Sequence, residues 1–366
     1  MDGRLAAMRD ALAERLLANV MAWTPEDVAR ERPVLQALAA LKYDEYQQFS
    51  PGMRFVESLA LWLKQFDSMT ERNVAYAFVL SRLVFLSHAE MAHFAAIAYP
   101  DVIRPVFIER AAKDTTLPPF RVSQVLGTEV FKQLERSSLF FGLSDGARVD
   151  LFRRSNKELS HEQIFTSYEI SKEKVFEIRT WLDEKRGLND VAPALVLLDD
   201  FTASGTSCLT PDGERARGKL AKFVERVQTS EEWKTVVAFP KTRLVVVFYV
   251  ATAQALTNIE SGAEILRQKY GIELTVLCVQ RIAPDISLNA SQTEPMIALI
   301  KKYYDPLAKE KHPEWGGDVP FGYKEGGLPL VIHHNTPNNS VFVLWAEDSD
   351  AVQPLFPRVS RHRREL

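Results

Sequence analysis

Hydrophobic positions in the first third of the chain recur at helical spacing. Between residues 53 and 66 they fall on one helical face, at Phe55, Leu59, Leu63 and Phe66. A helix start is predicted at Asp27, or at Thr24 with the acidic residues Glu26 and Asp27 behind it. Another helix is predicted to begin at Thr70 and to end at Pro100. We therefore expect residues 1–118 to form an all-helical N-terminal domain.

Glycine usage supports this boundary. Residues 1–118 contain only Gly3 and Gly52 of the chain's 16 glycines, and the region is rich in Ala, Leu, Glu and Arg, which favour helices. The Pro-containing segment at residues 115–119 is predicted to be the connection out of this domain.

Beyond this segment the pattern changes to short apolar runs that alternate with amphipathic stretches. The runs predicted as strands are Ser138–Leu143, Ala194–Leu198, Leu244–Val250 and Leu274–Val279. Because strands that are apolar on both faces are typical of covered parallel sheets, we expect helices on each side of this sheet.

Apolar stripes between these strands predict the helices. They are Val175, Ile178 and Leu182; then Leu220, Phe223, Val224 and Val227; then Ile259, Ala263, Leu266 and Tyr270, with Gly271 as a C-terminal cap. Residues 119–366 are accordingly predicted to form an α/β domain with a doubly wound, mainly parallel sheet. Two further strands, Leu328–His333 and Val341–Trp345, are predicted near its end and are joined by a turn.

Composition and charge narrow the classes of function. The 366 residues are 46% hydrophobic and 25% charged, which excludes disorder over most of the length. A net charge of −3 gives no electrostatic reason to expect direct binding to nucleic acid or to a membrane. The short basic end, Arg358–Arg364, is predicted to be a solvated tail.

Cysteine spacing and hydropathy point to a cytoplasmic protein. Cys208 and Cys278 lie in separate segments, so neither a disulfide framework nor a structural zinc site is expected. The most apolar stretch, residues 75–99, is interrupted by charged residues and histidines, which favours a buried helix over a membrane span. The N-terminus alternates charged and small residues, unlike a secretory signal.

One segment stands out for its chemistry, residues 194–207. A predicted strand delivers Asp199 and Asp200 at its carboxyl end, where ligands bind in open α/β sheets. A loop of small and hydroxyl-bearing residues follows: Thr202, Ala203, Ser204, Gly205, Thr206 and Ser207. Backbone N–H groups and hydroxyls in such a loop can hold a phosphate, and Gly205 allows a close approach. The carboxylates would repel that phosphate, so we expect them to contact sugar hydroxyls instead.

This order of strand, acid pair and turn resembles the ribose-5-phosphate signature of type I phosphoribosyltransferases. The resemblance implies that Asp199 and Asp200 contact the ribose hydroxyls and that Ala203–Ser207 holds the 5-phosphate. Ala203, Ser204 and Thr206 depart from the residues common in that family. An acidic strand end that runs into an ordinary polar loop would give the same pattern.

A second segment matches that family less specifically. Ser144, Asp145, Gly146 and Arg148 follow a predicted strand. The loop at this position of the family contacts pyrophosphate, and Arg148 would complement the diphosphate charge. A plain turn with a surface arginine is the alternative.

The segment His333–Asn339 is dense in histidine and asparagine. Its turn-forming residues are typical of a hairpin tip. Adjacent residues on a strand point to opposite faces, so His333 and His334 are not expected to share a metal ion. Strand-end packing is the alternative to a role in ligand binding.

With the Gly-rich stretch Trp315–Gly327, this segment resembles a phosphoribosyltransferase-like family found in bacterial conflict and defence gene neighbourhoods. Its members share an N-terminal helical region and a terminal segment of this type, and the resemblance covers most of residues 120–346. By analogy with the hood of type I enzymes, it implies an acceptor-selecting role for His333, His334, Asn335 and Asn338.

The resemblance implies a phosphorylated sugar or nucleotide as the ligand, phosphoribosyl pyrophosphate with Mg²⁺ if the chain is catalytic. No general base can be named from the sequence. One hypothesis is a defence effector that transfers or hydrolyses a ribosyl-phosphate group. The alternative is a non-catalytic module that senses such a ligand and signals to a partner protein through the helical domain.

Overall fold

The computed structural model describes residues 2–49, 52–188, 190–306, 319–346 and 352–358 and divides the chain into two compact units. Unit 1 comprises Met1–His88 and Asp285–Leu366, and unit 2 comprises Ala89–Pro284. The sequence-based boundary at residue 118 thus falls inside unit 2. The C-terminal residues assigned to the α/β domain belong with the N-terminal helices instead.

The helices and strands have the following bounds. The helices are α1 (Asp2–Val20), α2 (Pro25–Leu41), α3 (Phe55–Lys64), α4 (Met69–Ser81), α5 (His88–Ile97), α6 (Arg104–Asp114), α7 (Val122–Gly127), α8 (Glu129–Ser137), α9 (Val149–Ser155), α10 (Lys172–Arg186), α11 (Lys219–Thr229), α12 (Glu231–Lys234), α13 (Ala253–Tyr270) and α14 (Pro295–Lys302). The strands are β1 (Val84–Leu86), β2 (Leu139–Gly142), β3 (Ile164–Phe165), β4 (Ala194–Thr202), β5 (Thr210–Asp212), β6 (Arg215–Arg217), β7 (Arg243–Thr252), β8 (Leu274–Ile282) and β9 (Leu330–Ile332).

Unit 1 buries the predicted face of α3. Its four apolar residues, Phe55, Leu59, Leu63 and Phe66, are fully buried. The helix start near Thr24 is also confirmed, because the Thr24 hydroxyl accepts the Asp27 N–H in a capping box that begins α2.

The single helix predicted from Thr70 to Pro100 is wrong. The chain leaves α4 at Ser81 and forms β1, which pairs in parallel with β9. Pro100 does not end the next helix either, because the π-helical segment Ala98–Ile103 continues from α5 into α6. Pro100 has no N–H to donate to the carbonyl four residues before it, so regular α-helical bonding is interrupted here although the chain stays helical.

The predicted strand Val341–Trp345 is also wrong. Phe342–Leu344 is a 3-10 helix, and these side chains are buried. An apolar run that is buried on every side shows neither the alternation of a strand nor the 3.6-residue period of a helix. Its sequence therefore does not distinguish a strand from a helix. The other predicted strand is the shorter β9, which pairs with β1 and not in a hairpin.

The first residues of the Gly-rich stretch, 315–318, and the basic end beyond Arg358 lie outside the described residues. Among those the structure does describe, no helix combines the length and apolar character that crossing a bilayer requires.

Unit 2 contains a five-stranded parallel sheet in the order β3-β2-β4-β7-β8. One face packs on the predicted apolar stripes of α10, α11 and α13. On the other face, the Phe140 ring lies 5.6 Å from Phe152 and 6.1 Å from Tyr99. The mixed α/β architecture with parallel strands agrees with the sequence, whereas β3 and the β5–β6 hairpin were not predicted.

Candidate functional site

The acid pair lies inside the carboxyl end of β4, because this strand continues to Thr202 and not only to Leu198. Asp199 is 7% exposed and Asp200 is 9% exposed. The Asp200 N–H donates to Asp199 Oδ1 at 3.2 Å, and the Phe201 N–H donates to Asp200 Oδ1 at 2.9 Å. The two carboxylates are therefore buried side by side and oriented by backbone donors.

The Ser144–Arg148 loop, which follows β2, lies directly against this pair. The Ser144 hydroxyl donates to Asp199 Oδ1, and a Cβ at Gly146 would collide with the Asp200 carboxylate. β2 and β4 are adjacent parallel strands, so their carboxyl ends meet at one edge of the sheet. The structure thus brings together two of the predicted site segments that are far apart in sequence.

Arg148 supplies positive charge beside this loop. It adopts a left-handed backbone conformation, with φ 47°, at the start of α9. Its guanidinium opposes the rise in the pKa of Asp200. Asp145, in contrast, is exposed at the loop surface.

Burial sets the ionisation of the acid pair. Burial first, and then repulsion from Asp200, raises the pKa of Asp199 to about 7, against the opposing effects of Lys219 and the Ser144 hydroxyl. Burial also raises the pKa of Asp200, although the Phe201 N–H and Arg148 oppose this rise. Two adjacent buried carboxylates do not both ionise readily, so the pair retains a proton near neutral pH.

The Ala203–Ser207 loop continues directly from β4. Gly205 has φ +75°, and a Cβ there would lie 2.7 Å from the Ala255 carbonyl oxygen in α13. The loop is held by the Thr252 hydroxyl, which donates to the Ala203 carbonyl at 2.5 Å, and by Asn258 Nδ2, which donates to the Ser204 carbonyl at 2.8 Å. A glycine is required because only it tolerates this conformation and this approach.

The backbone N–H groups of the loop are only partly used, because only that of Thr206 donates within the described structure, to the Ser204 hydroxyl at 3.5 Å. Within the part of the chain that the structure describes, those of Ser204, Gly205 and Ser207 donate no hydrogen bond. The Ser204 and Thr206 hydroxyls lie 2.9 Å apart, and Thr206 and Ser207 are at least partly exposed, whereas Thr202 is buried in the strand. Neighbouring unbonded N–H groups around a left-handed residue are a typical anion-binding arrangement.

Lys219 is a residue of this site that the sequence analysis did not single out. It begins α11, its N–H donates to the Ser207 carbonyl at 3.0 Å, and its charge lowers the pKa of Asp199. Among the described residues, no ion pair involves its ammonium group. The β5–β6 hairpin separates it from the loop in sequence, so only the fold shows that it lies there.

The histidine-rich segment lies in unit 1. His333 and His334 occupy a tight turn in which the Asn335 N–H donates to the Ile332 carbonyl at 3.0 Å. The buried His333 ring lies 5.3 Å from His88 and 5.1 Å from His334.

The asparagines of this segment bind backbone groups nearby. The Tyr323 N–H donates to the Asn338 carbonyl at 2.7 Å, and Asn339 Nδ2 donates to the Tyr323 carbonyl at 2.8 Å. The segment therefore has a packing role in unit 1. Its predicted role in selecting an acceptor stays a prediction.

A comparison with protein families completes this description. The model of the PRTase-CE family matches residues 59–358, which is most of the chain. No curated protein and no solved structure matches the chain significantly. The chain therefore belongs to the PRTase-CE family and is a phosphoribosyltransferase-like protein.

Proposed function

We propose that unit 2 binds a phosphoribosyl or nucleotide ligand together with Mg²⁺ at the carboxyl end of β4. One observation carries this proposal: a strand with two buried carboxylates near its carboxyl end leads into a loop with three N–H groups that donate no hydrogen bond among the described residues. The loop suits an anion and the carboxylates suit hydroxyl groups, and a phosphorylated pentose contains both.

The phosphate is assigned to the Ala203–Ser207 loop. Three N–H groups and the hydroxyls of Ser204, Thr206 and Ser207 offer donors without an acidic side chain among them. Lys219 adds a positive charge at the end of this loop. Charge-assisted hydrogen bonds of this kind are the strong ones in phosphate recognition.

The sugar is assigned to Asp199 and Asp200. Carboxylate oxygens accept hydrogen bonds from hydroxyl groups, and a buried carboxylate gains most from such a partner because little water competes. Since Gly146 lies on the Asp200 carboxylate, the ligand must displace the Ser144–Arg148 loop to reach it.

The oxygen atoms of the acid pair suit Mg²⁺. This ion prefers oxygen ligands and is usually bound by one or two carboxylates together with substrate phosphates. Asp199 and Asp200 would supply such oxygens. The described residues contain no cluster of three or more His, Cys, Asp and Glu able to hold a metal ion, so phosphate oxygens of the ligand would supply most of its shell. When bound, Mg²⁺ would offset negative charge on a leaving diphosphate.

If the chain is catalytic, its residues act by positioning and by electrostatics. The acid pair fixes the pentose, the loop fixes the 5-phosphate, and Arg148 and Lys219 stabilise negative charge as the bond at C1 breaks. Transfer or hydrolysis of a ribosyl-phosphate group would follow, in a defence role in the cytoplasm. A doubly wound arrangement is part of this proposal, supported by β2, whose two following strands lie on either side of it.

A second candidate function, non-catalytic sensing, is favoured by the burial of the acid pair, with Asp199 against Ser144 and Asp200 against Gly146. A ligand that binds there must move the Ser144–Arg148 loop. Such a movement is a signal that a partner protein, bound through the N-terminal helices, could read.

Isothermal titration calorimetry measures the affinity of the full chain for phosphoribosyl pyrophosphate in the presence of Mg²⁺ and tests the proposal. Asp199→Asn with Asp200→Asn should weaken binding by at least about tenfold, because hydrogen bonds to charged groups are lost. The control double variant Asp183→Asn with Asp190→Asn removes two exposed charges and should bind like the wild type. Equal affinity in all three proteins would exclude the acid pair from the site. Release of pyrophosphate by the wild type would then distinguish an enzyme from a sensor.

A further inference from the structure

The Tyr249 hydroxyl is a buried polar group for which the fold provides no use. The residue is completely buried in β7, and its hydroxyl has no hydrogen-bond partner among the described residues. Buried hydroxyl groups are normally hydrogen-bonded, because an unpaired one forgoes its interactions with water.

The position of Tyr249 places it beside the acid pair. In the parallel pairing of β4 with β7, Asp199 lies opposite Phe248 and Phe201 lies opposite Val250. Tyr249 in β7 therefore lies opposite Asp200 in the adjacent strand β4, and their side chains are on the same face of the sheet. Neighbouring strands are about 4.8 Å apart, so the two side chains are adjacent on that face.

The charges around Tyr249 fix the role that its hydroxyl can take. Burial, and then the carboxylates of Asp200, Asp199 and Asp150, raise the pKa of Tyr249 above its ordinary value. The hydroxyl is thus a neutral group that can both donate and accept a hydrogen bond. Three acids in its vicinity disfavour a phosphate there and favour an uncharged polar partner.

We propose that Tyr249 is a ligand-positioning residue whose hydroxyl donates a hydrogen bond to a hydroxyl group of the pentose. This inference rests on the proposed function. A sugar hydroxyl can donate to the Asp200 carboxylate and accept from Tyr249 at the same time, so one group satisfies both buried partners. Tyr249 then selects for a hydroxylated pentose, because a ligand without that hydroxyl leaves the buried Tyr249 hydroxyl unpaired.

Tyr249→Phe tests the inference, because it removes only the hydroxyl. Tyr99→Phe is a matched control, since Tyr99 is also buried in unit 2 but its hydroxyl donates to Glu135. The melting temperature and the affinity for ribose 5-phosphate are measured for the full-length wild type and for each variant.

We expect Tyr249→Phe to keep or raise the melting temperature and to weaken ribose 5-phosphate binding by about five- to tenfold, the usual effect of one hydrogen bond. Tyr99→Phe should lower the melting temperature and leave the affinity unchanged. If the wild type binds ribose 5-phosphate and Tyr249→Phe binds it equally well, the inference is wrong and the proposed function stands. A wild type that does not bind ribose 5-phosphate would overturn both.

Discussion

At the scale of single residues, the candidate site is centred on the buried acid pair. The sequence predicts Asp199 and Asp200 as site residues because an acid pair ends an apolar strand, and this role stays a prediction. It did not show their burial, because this depends on the Ser144 hydroxyl and on Gly146, which reach them from a different strand. The roles proposed for Lys219 and Tyr249 were not predicted for the same reason, since a lysine that begins a helix and a tyrosine in an apolar strand look ordinary in the sequence.

The ionisation of Asp199 makes stability depend on pH with a defined sign. Its folded pKa of about 7 exceeds the value of about 3.9 for an unfolded aspartate, so the folded protein binds more protons between these values. Stability from this residue is therefore present at low pH and is lost as pH rises towards 7.

We accordingly expect the unfolding free energy of the wild type minus that of Asp199→Asn to fall between pH 4 and pH 7, by up to roughly 4 kcal/mol. Urea denaturation of both proteins at pH 4.5, 6 and 7.5 measures this difference. For the control Asp190→Asn, the Val191 N–H and Lys241 lower the pKa of Asp190, so Asp190 titrates below this pH range and the corresponding difference should stay nearly constant. A difference for Asp199→Asn that is constant or rises would contradict the assigned ionisation.

At the scale of structural elements, the loop after β4 depends on the close approach of Gly205 to α13. Gly213, at the tip of the β5–β6 hairpin, also has a positive φ, +60°. In contrast to Gly205, it has open space where a Cβ would lie. Replacement by alanine imposes the left-handed penalty of about 1–2 kcal/mol at both positions. Only at Gly205 does the methyl group also meet a backbone oxygen.

Gly205→Ala should therefore destabilise the chain more than Gly213→Ala and should abolish binding of phosphoribosyl pyrophosphate, because the loop must move. Gly213→Ala should bind like the wild type. Chemical denaturation and titration calorimetry measure the two effects. Full affinity in a folded Gly205→Ala variant would show that this loop does not hold the ligand.

Prediction of the elements succeeded where the hydrophobic period is unambiguous. The amphipathic helices α10, α11 and α13 and the long strands β4, β7 and β8 were all recognisable. The failures are short or fully buried segments. β1 and β3 have three and two residues, too few for a period, and Phe342–Leu344 is apolar on every side.

At the scale of the whole molecule, the division into units could not be read from composition. The change in glycine usage near residue 118 marks a change in secondary structure, not a change of unit. β1 and β9 come from opposite ends of the chain, and their pairing places residues 285–366 in unit 1. A contact between segments so distant in sequence leaves no local pattern. The family match over residues 59–358 includes parts of both units.

A crystal structure of the full chain with ribose 5-phosphate tests the central claim most directly. We expect the phosphate within hydrogen-bond distance of the N–H groups of Ser204–Ser207, and pentose hydroxyls at Asp199 and Asp200, with the Ser144–Arg148 loop displaced. A phosphate bound elsewhere, or a pentose that does not contact the acid pair, would contradict the account.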